Sequence, residues 1–262
     1  MTTIAKLKEK KVAGEKLTCL TAYDASFAAL VDEAGVEIIL VGDSLGMVVQ
    51  GKETTLPVTL DEMIYHASAV KRGAPAAFVV VDLPFMSYPN PEIALKHAGK
   101  VMKRSGANMV KLEGGQAVLE SVKLMAEHGI PVCAHLGLLP QSVHKTSGYK
   151  VQGKSDSEAE RILNDAIALE SAGADLLVLE CVPAELAKTI SERLTIPTIG
   201  IGAGVDCDGQ VLVLYDMLNV TKGKRPKFSK DYLSGQPSVL NALENYVAEV
   251  KSGKFPGLEH SF

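Results

Sequence analysis

From end to end the chain alternates short aliphatic runs with amphipathic stretches of helical length, and few folds accept that pattern. The runs are LTCLTAYD (17–24), EIILVGDS (37–44), AFVVVDLP (77–84), NMVKLEG (108–114), PVCAHLG (131–137), DLLVLE (175–180), PTIGIGAG (197–204) and QVLVLYDM (210–217). They are rich in Val, Ile and Leu and bounded by turn residues, as expected of parallel strands covered on both faces. Between most of them lie helix patterns: DASFAALVDEAG, TLDEMIYHASAVKRG, PEIALKHAGKVMKRSG, QAVLESVKLMAEHG, SEAERILNDAIALESAG and PAELAKTISERL. Gly35, Gly73, Gly106, Gly129 and Gly173 stand where helices should stop, and Asn90-Pro91 and Ser155 through Glu158 read as helix starts. Eight such units without a Pro/Ser-rich linker predict one α/β domain over 1–262, a (β/α)8 or TIM barrel. An open doubly wound sheet is the alternative. The repeat is imperfect, because GVDCDG leaves no room for a helix between the last two runs. A basic loop, TKGKRPKFSK, and a helical C-terminal extension, SVLNALENYVAEVKSG, follow residue 220.

Composition narrows the function. The chain is 47% hydrophobic with no Trp, enough for a large aliphatic core. A formal charge of −4 with scattered Lys and Arg argues against nucleic-acid binding, which needs a basic patch. No run reaches the roughly 18 apolar residues that a membrane span needs. The opening MTTIAKLKEKKVAG has charges but no apolar core of a secretory signal. Cys19, Cys133, Cys181 and Cys207 show no CxxC spacing, and three of them fall in or beside strand runs. They are expected to be reduced core thiols in a cytoplasmic protein.

In a parallel barrel the C-terminal strand ends converge on one face. Here they carry Asp24, Asp43-Ser44, Asp82, Lys111 with Glu113, His135 and Glu180. Gathered carboxylates are unstable unless a cation or a proton neutralises them. A single strand-end Asp is more often a helix cap, and Asp24, directly followed by Ser26 and a helix, is the clearest such case. Oxygen donors without a Cys/His cluster suit Mg²⁺ rather than zinc, with Asp43, Asp82 and Glu113 as the donors. Glu180 is then free to act as a base. Lys111 and Glu113, two apart, share one side of a strand; such a Lys either pairs with a carboxylate or binds an anionic substrate. His135 is either a core histidine on a backbone carbonyl or a substrate contact, and Ser44 either caps a turn or joins the site. IGIGAG is a weak dinucleotide fingerprint, better read as a tight turn at the barrel mouth. MVVQG and the Met63/His66 pattern read as ordinary packing. A divalent ion beside a Lys and a spare carboxylate is the equipment for removing a proton α to the carbonyl of a small 2-oxo acid.

The segments VGDSLGMVVQG, TLPVTLDEMIYHASAVKRGAP, DLPFMSY, GANMVKLEGG, PVCAHLGLLPQSV, GYKVQG, LLVLECVPAELAKTI and PTIGIGAGVDCDGQVLV resemble the ketopantoate (3-methyl-2-oxobutanoate) hydroxymethyltransferase family. The resemblance runs from about Thr18 to the C-terminal PGLEHSF. It implies a barrel of the phosphoenolpyruvate mutase/isocitrate lyase type and synthesis of 2-dehydropantoate on the way to pantothenate and coenzyme A. The implied one-carbon donor is 5,10-methylenetetrahydrofolate. It further implies Mg²⁺ on Asp43, Asp82 and Glu113, oxo-acid contacts from Asp43, Ser44, Asp82, Lys111 and His135, proton abstraction by Glu180, and a homodecamer of two pentamer rings. Two loops depart from the family pattern, with Ser147 and Asn219 where Gly is common. The rival readings are a C–C or P–C lyase on the same barrel, and a catalytically silent barrel used as a scaffold.

Overall fold

The computed structural model describes residues 2–145, 148–221, 223 and 225–262; Ser147 lies outside them. In chain order the elements are α1 (Ile4–Val12), β1 (Leu17–Thr21), α2 (Ala25–Glu33), β2 (Ile38–Val41), α3 (Leu45–Val48) and α4 (Leu60–Gly73). Then come β3 (Phe78–Asp82), α5 (Pro91–Ser105), β4 (Met109–Glu113), α6 (Leu119–Glu127), β5 (Val132–Gly137) and α7 (Asp156–Ser171). The chain finishes with β6 (Leu176–Glu180), α8 (Ala184–Arg193), β7 (Thr198–Ile201), β8 (Gly209–Leu212), α9 (Leu214–Met217) and α10 (Val239–Lys251). All eight strands pair in parallel and close, β8 onto β1, into the expected barrel rather than an open sheet.

Two apolar layers follow from the period-two alternation of strand side chains. The inward set includes Leu17, Cys19, Ile38, Leu40, Phe78, Val80, Met109, Cys133, Leu176, Val178, Ile199 and Val211, and fills the barrel. The outward set, such as Leu20, Ile39, Val79, Val81, Val110, Leu112, Leu177 and Leu179, packs against the helices. Helix α1 closes the N-terminal mouth. Its Leu7 belongs to the inner cluster, and Lys8, Lys10 and Lys11 pair with Asp175, Glu37 and Asp208 at strand starts.

No helix separates β7 from β8, and α10 takes the place of the last barrel helix by packing on α2 and β1. Its buried Tyr246 hydroxyl lies 3.0 Å from the Cys19 carbonyl and 2.9 Å from that of Gln210, across the β1–β8 seam. Helix starts match the expected chemistry: Asn90 and Ser155 accept from Ile93 and Glu158, each worth about 1 kcal/mol. Asp24 likewise caps α2, accepting from Ser26 and Phe27.

Two expectations need correcting. Gly73 is not a left-handed stop, as Gly35, Gly106, Gly129 and Gly173 are; it ends α4 where a Cβ would sit 2.1 Å from the Ala25 carbonyl oxygen. The close crossing of α2 and α4 therefore requires it. The run 210–217 is not all strand, since β8 stops at Leu212 and Leu214–Met217 turns into α9. Asn219, just beyond, has φ +55°, a conformation that Asn accepts better than other non-glycine residues.

Candidate active site

Strand parity places the polar residues. Asp82, Lys111, Glu113, His135 and Glu180 continue the inward rows Phe78–Val80, Met109, Cys133 and Leu176–Val178, so each points into the C-terminal mouth. The register sets them level, with Asp82 beside Lys111, Glu113 beside His135, and Gly137 beside Glu180. Asp43 and Ser44 arrive from the turn after β2 and line the same cavity. The structure thus brings together every predicted site residue.

The contacts divide this cluster into two halves. On one side Lys111 Nζ donates to Asp82 Oδ1 at 2.7 Å, both groups being buried, while Asp82 Oδ2 accepts from the Asp43 backbone N–H at 3.1 Å. On the other, His135 lies between two carboxylates, Nδ1 3.6 Å from Glu113 and Nε2 3.2 Å from Glu180. Neither nitrogen reaches hydrogen-bond geometry with them, so His135 is held by charge rather than by a backbone carbonyl. Burial and Lys111 pull its pKa down, yet Glu113 and Glu180 outweigh them and raise it to about 9.

The balance of charge is negative. Four acidic side chains, Asp43, Asp82, Glu113 and Glu180, face two basic ones, Lys111 and His135. Burial first, then Asp82 and Glu113, hold the Asp43 carboxyl well above the usual carboxylate range. Burial opposes the charge on Lys111, but Asp82, Glu113 and Asp43 overcome it and push the ammonium pKa up. A cluster that strains to take up a proton at Asp43 is suited to a divalent cation. Among the described residues no three His, Cys, Asp or Glu side chains form a ready ligand cage.

Sequence reasoning missed the residue that ties the halves together. Gln141, on the 3₁₀ turn after β5, donates through Nε2 to Asp43 Oδ2 at 2.8 Å and to the Leu83 carbonyl at 3.0 Å. Its backbone N–H donates to Glu113 Oε2 at 3.0 Å, and its Oε1 accepts from the Tyr88 hydroxyl. A neutral Gln in a loop carries no pattern, and Asp43 is 98 residues away. Ser44 makes no cap on α3; its hydroxyl instead meets Tyr23 OH at 2.8 Å.

These groups line an inner cavity of about 110 Å³, which opens into a cleft of about 720 Å³. Asp43, Ser44, Pro140, Glu180, Val213 and Phe228 border both spaces. The IGIGAG turn does shape the mouth: Gly202, at φ +61°, leaves room for Phe228, whose Cβ would lie 3.1 Å from a Cβ there. MVVQG is more than packing, because Met47 and Val48 line the cleft and Tyr149 OH approaches Met47 Sδ at 3.7 Å. Met63, by contrast, is fully buried, and His66 Nδ1 bonds the Tyr23 carbonyl at 2.7 Å. All four cysteines are buried and free. Burial pushes the Cys133 thiol up to about 12 and raises Cys181 as well, so neither is the reactive thiolate a lyase loop would need.

The closed parallel barrel with helices between its strands defines the class of fold, a (β/α)8 barrel with an acidic mouth. A solved 2,3-dimethylmalate lyase, itself a member of the phosphoenolpyruvate mutase/isocitrate lyase superfamily, shares this fold, with TM-score 0.59 and 16% identity over 98% of this chain and 100% of its own. The family model described as ketopantoate hydroxymethyltransferase matches residues 1–258. The 3-methyl-2-oxobutanoate hydroxymethyltransferase of Nitrosospira multiformis is 58% identical over 95% of both chains. That of Nitrosococcus oceani is 56% identical over 99% of this chain and 98% of its own. The chain belongs to the ketopantoate hydroxymethyltransferase family, and it is an enzyme of the transferase class.

Proposed function

We propose that this enzyme moves a hydroxymethyl group from 5,10-methylenetetrahydrofolate to 3-methyl-2-oxobutanoate, giving 2-dehydropantoate for pantothenate synthesis. The observation that carries the reading is the position of Glu180. It is a cavity-facing carboxylate with no Lys or Arg partner among the described residues, opposite the Asp43–Asp82–Lys111 group.

Asp43, Asp82 and Glu113 are the residues that would hold Mg²⁺, directly or through water. Bound there, the ion would polarise the keto oxygen of the oxo acid. Lys111 supplies a fixed positive charge for the substrate's carboxylate, and the inner cavity admits a small acid only. Ser44 and His135 complete the polar wall that orients it.

Glu180 takes the proton from C3, and the C–H electron pair moves into the enolate. C3 then bonds the one-carbon unit. Its two carbon–nitrogen bonds to the folate give way to this C–C bond and to a C–O bond from one water, and the two freed nitrogens take up the proton from Glu180 and the second proton of that water. His135 Nε2 lies 3.2 Å from the Glu180 carboxylate, beside the base.

The same reading takes 1–262 as a single domain in the cytoplasm, assembled as the decamer the family resemblance implies. Two observations are compatible with it: four buried free thiols, and no helix among the described residues long and apolar enough to cross a membrane.

The test is C3 hydrogen exchange of 3-methyl-2-oxobutanoate in deuterated buffer with Mg²⁺, in the wild type and in Glu180→Gln. The variant should bind the oxo acid yet exchange roughly 10²–10⁴-fold more slowly. Exchange at the wild-type rate would remove Glu180 as the base.

A further inference from the structure

The outer cleft has a second buried carboxylate that the proton transfer at Glu180 does not use. Asp216 lies on α9, just after β8, with 8% of its surface exposed, and it lines the cleft with Asn219, Thr221 and Arg225. Among the described residues no ion pair claims it, and Arg225 pairs with Asp231 at 3.6 Å instead. Burial holds its carboxyl above the ordinary value, against the opposing pull of the Thr221 hydroxyl and the Arg225 guanidinium. The Thr221 hydroxyl compensates this carboxylate only in part, and a ligand in the cleft can supply further donors.

The position restricts which ligand. The cleft adjoins the inner cavity, and its volume of about 720 Å³ suits a molecule much larger than a five-carbon acid. The border shared through Glu180, Ser44 and Val213 means that a ligand in the cleft can present one carbon to the enolate in the inner cavity. Tyr149, Phe228 and Phe262 give the cleft flat apolar surface. Such a site takes a planar heterocycle with one polar edge.

We propose that Asp216 is the specificity-determining residue for the one-carbon donor, its two oxygens accepting from the 2-amino group and N3–H of a 2-amino-4-oxo-pteridine ring. That edge carries two adjacent, parallel N–H donors, the pattern a carboxylate accepts in bidentate fashion. The assignment rests on the reading that a reduced folate is the donor. Asn at 216 keeps size and shape but turns one acceptor into an NH₂ that opposes a ring N–H.

Binding of tetrahydrofolate to the full chain, measured by calorimetry, tests this in the wild type and in Asp216→Asn. A pteridine analogue lacking the 2-amino group serves as a second ligand. The wild type should bind tetrahydrofolate roughly 10- to 100-fold more tightly than Asp216→Asn does. It should also discriminate against the analogue by a similar factor, a discrimination that collapses in the variant. A purely structural role would weaken both ligands equally and would leave the discrimination in place, which overturns the assignment. Equal tetrahydrofolate binding by wild type and variant also overturns it, while leaving the folate donor standing. A wild type that binds no tetrahydrofolate overturns the donor and the Asp216 assignment together. Binding of 3-methyl-2-oxobutanoate with Mg²⁺, followed in the same samples, reports whether the inner cavity is intact.

Discussion

Lys111 is buried in the barrel and holds Asp82 at 2.7 Å, in a cluster already carrying more negative than positive charge. Replacing it by Met keeps the aliphatic stem and most of the volume but removes the ammonium and leaves Asp82 without its ionic partner. Breaking a buried pair by removing one partner costs about 3–5 kcal/mol, because the other charge stays behind uncompensated. In a chain of 262 residues each kcal/mol moves the midpoint by roughly 2–4 °C, so Lys111→Met should melt about 6–20 °C lower. The melt is followed by circular dichroism with EDTA present, so that no divalent ion replaces the ammonium. Adding Asp82→Asn removes the orphaned charge, and the double variant should recover at least half of the loss. A single variant that loses less than about 1 kcal/mol would refute the reasoning, as would a double variant no more stable than Lys111→Met.

Three further outcomes follow from particular contacts. Gln141→Ala leaves Asp43 Oδ2, the Leu83 carbonyl and Tyr88 OH without their partner; urea titration should show a loss of about 2–4 kcal/mol, with weaker Mg²⁺-dependent oxo-acid binding. Gly137→Ala places a Cβ 2.1 Å from the Glu180 carbonyl oxygen at φ +94°, so it should cost about 3 kcal/mol or more and abolish C3 exchange; a stable, exchanging variant would contradict the β5–β6 register. At the opposite end of the barrel, burial raises the Glu37 pKa, but Lys251 and Thr18 overcome it and hold the carboxyl below its ordinary value. A depressed carboxyl contributes stability above its unfolded pKa, near 4.3, and loses it as pH falls through the folded value. Denaturant midpoints between pH 3 and 7 should therefore fall in acid, and Glu37→Gln should be less stable at pH 7 with a flatter acid limb.

The barrel was legible because buried parallel strands leave uninterrupted Val/Ile/Leu runs, and those runs end in the same charged residues that line the mouth. Lys111 and Glu113 share a face by period two alone, and Asp24 announced its cap through the Ser26 that follows it. What escaped depends on contacts across long sequence distances. Gln141 is a loop residue with no charge or period, and the Ser44–Tyr23 bond joins two strand ends through hydroxyls. His135 has no backbone-carbonyl partner and lies instead between Glu113 and Glu180, a position that spacing alone does not encode. Gly73 resembled a helix stop because a close crossing and a left-handed turn both demand Gly, and only the Ala25 backbone beside it separates the two.

The most direct test of the account is whether a divalent ion and the oxo acid bind as one unit on the strand-end carboxylates. Calorimetric titration of 3-methyl-2-oxobutanoate should give an affinity at least tenfold tighter with Mg²⁺ than with EDTA in the wild type. That gain should vanish in Asp82→Ala. Equal affinity in EDTA and Mg²⁺, or an undiminished Mg²⁺ gain in Asp82→Ala, would contradict it.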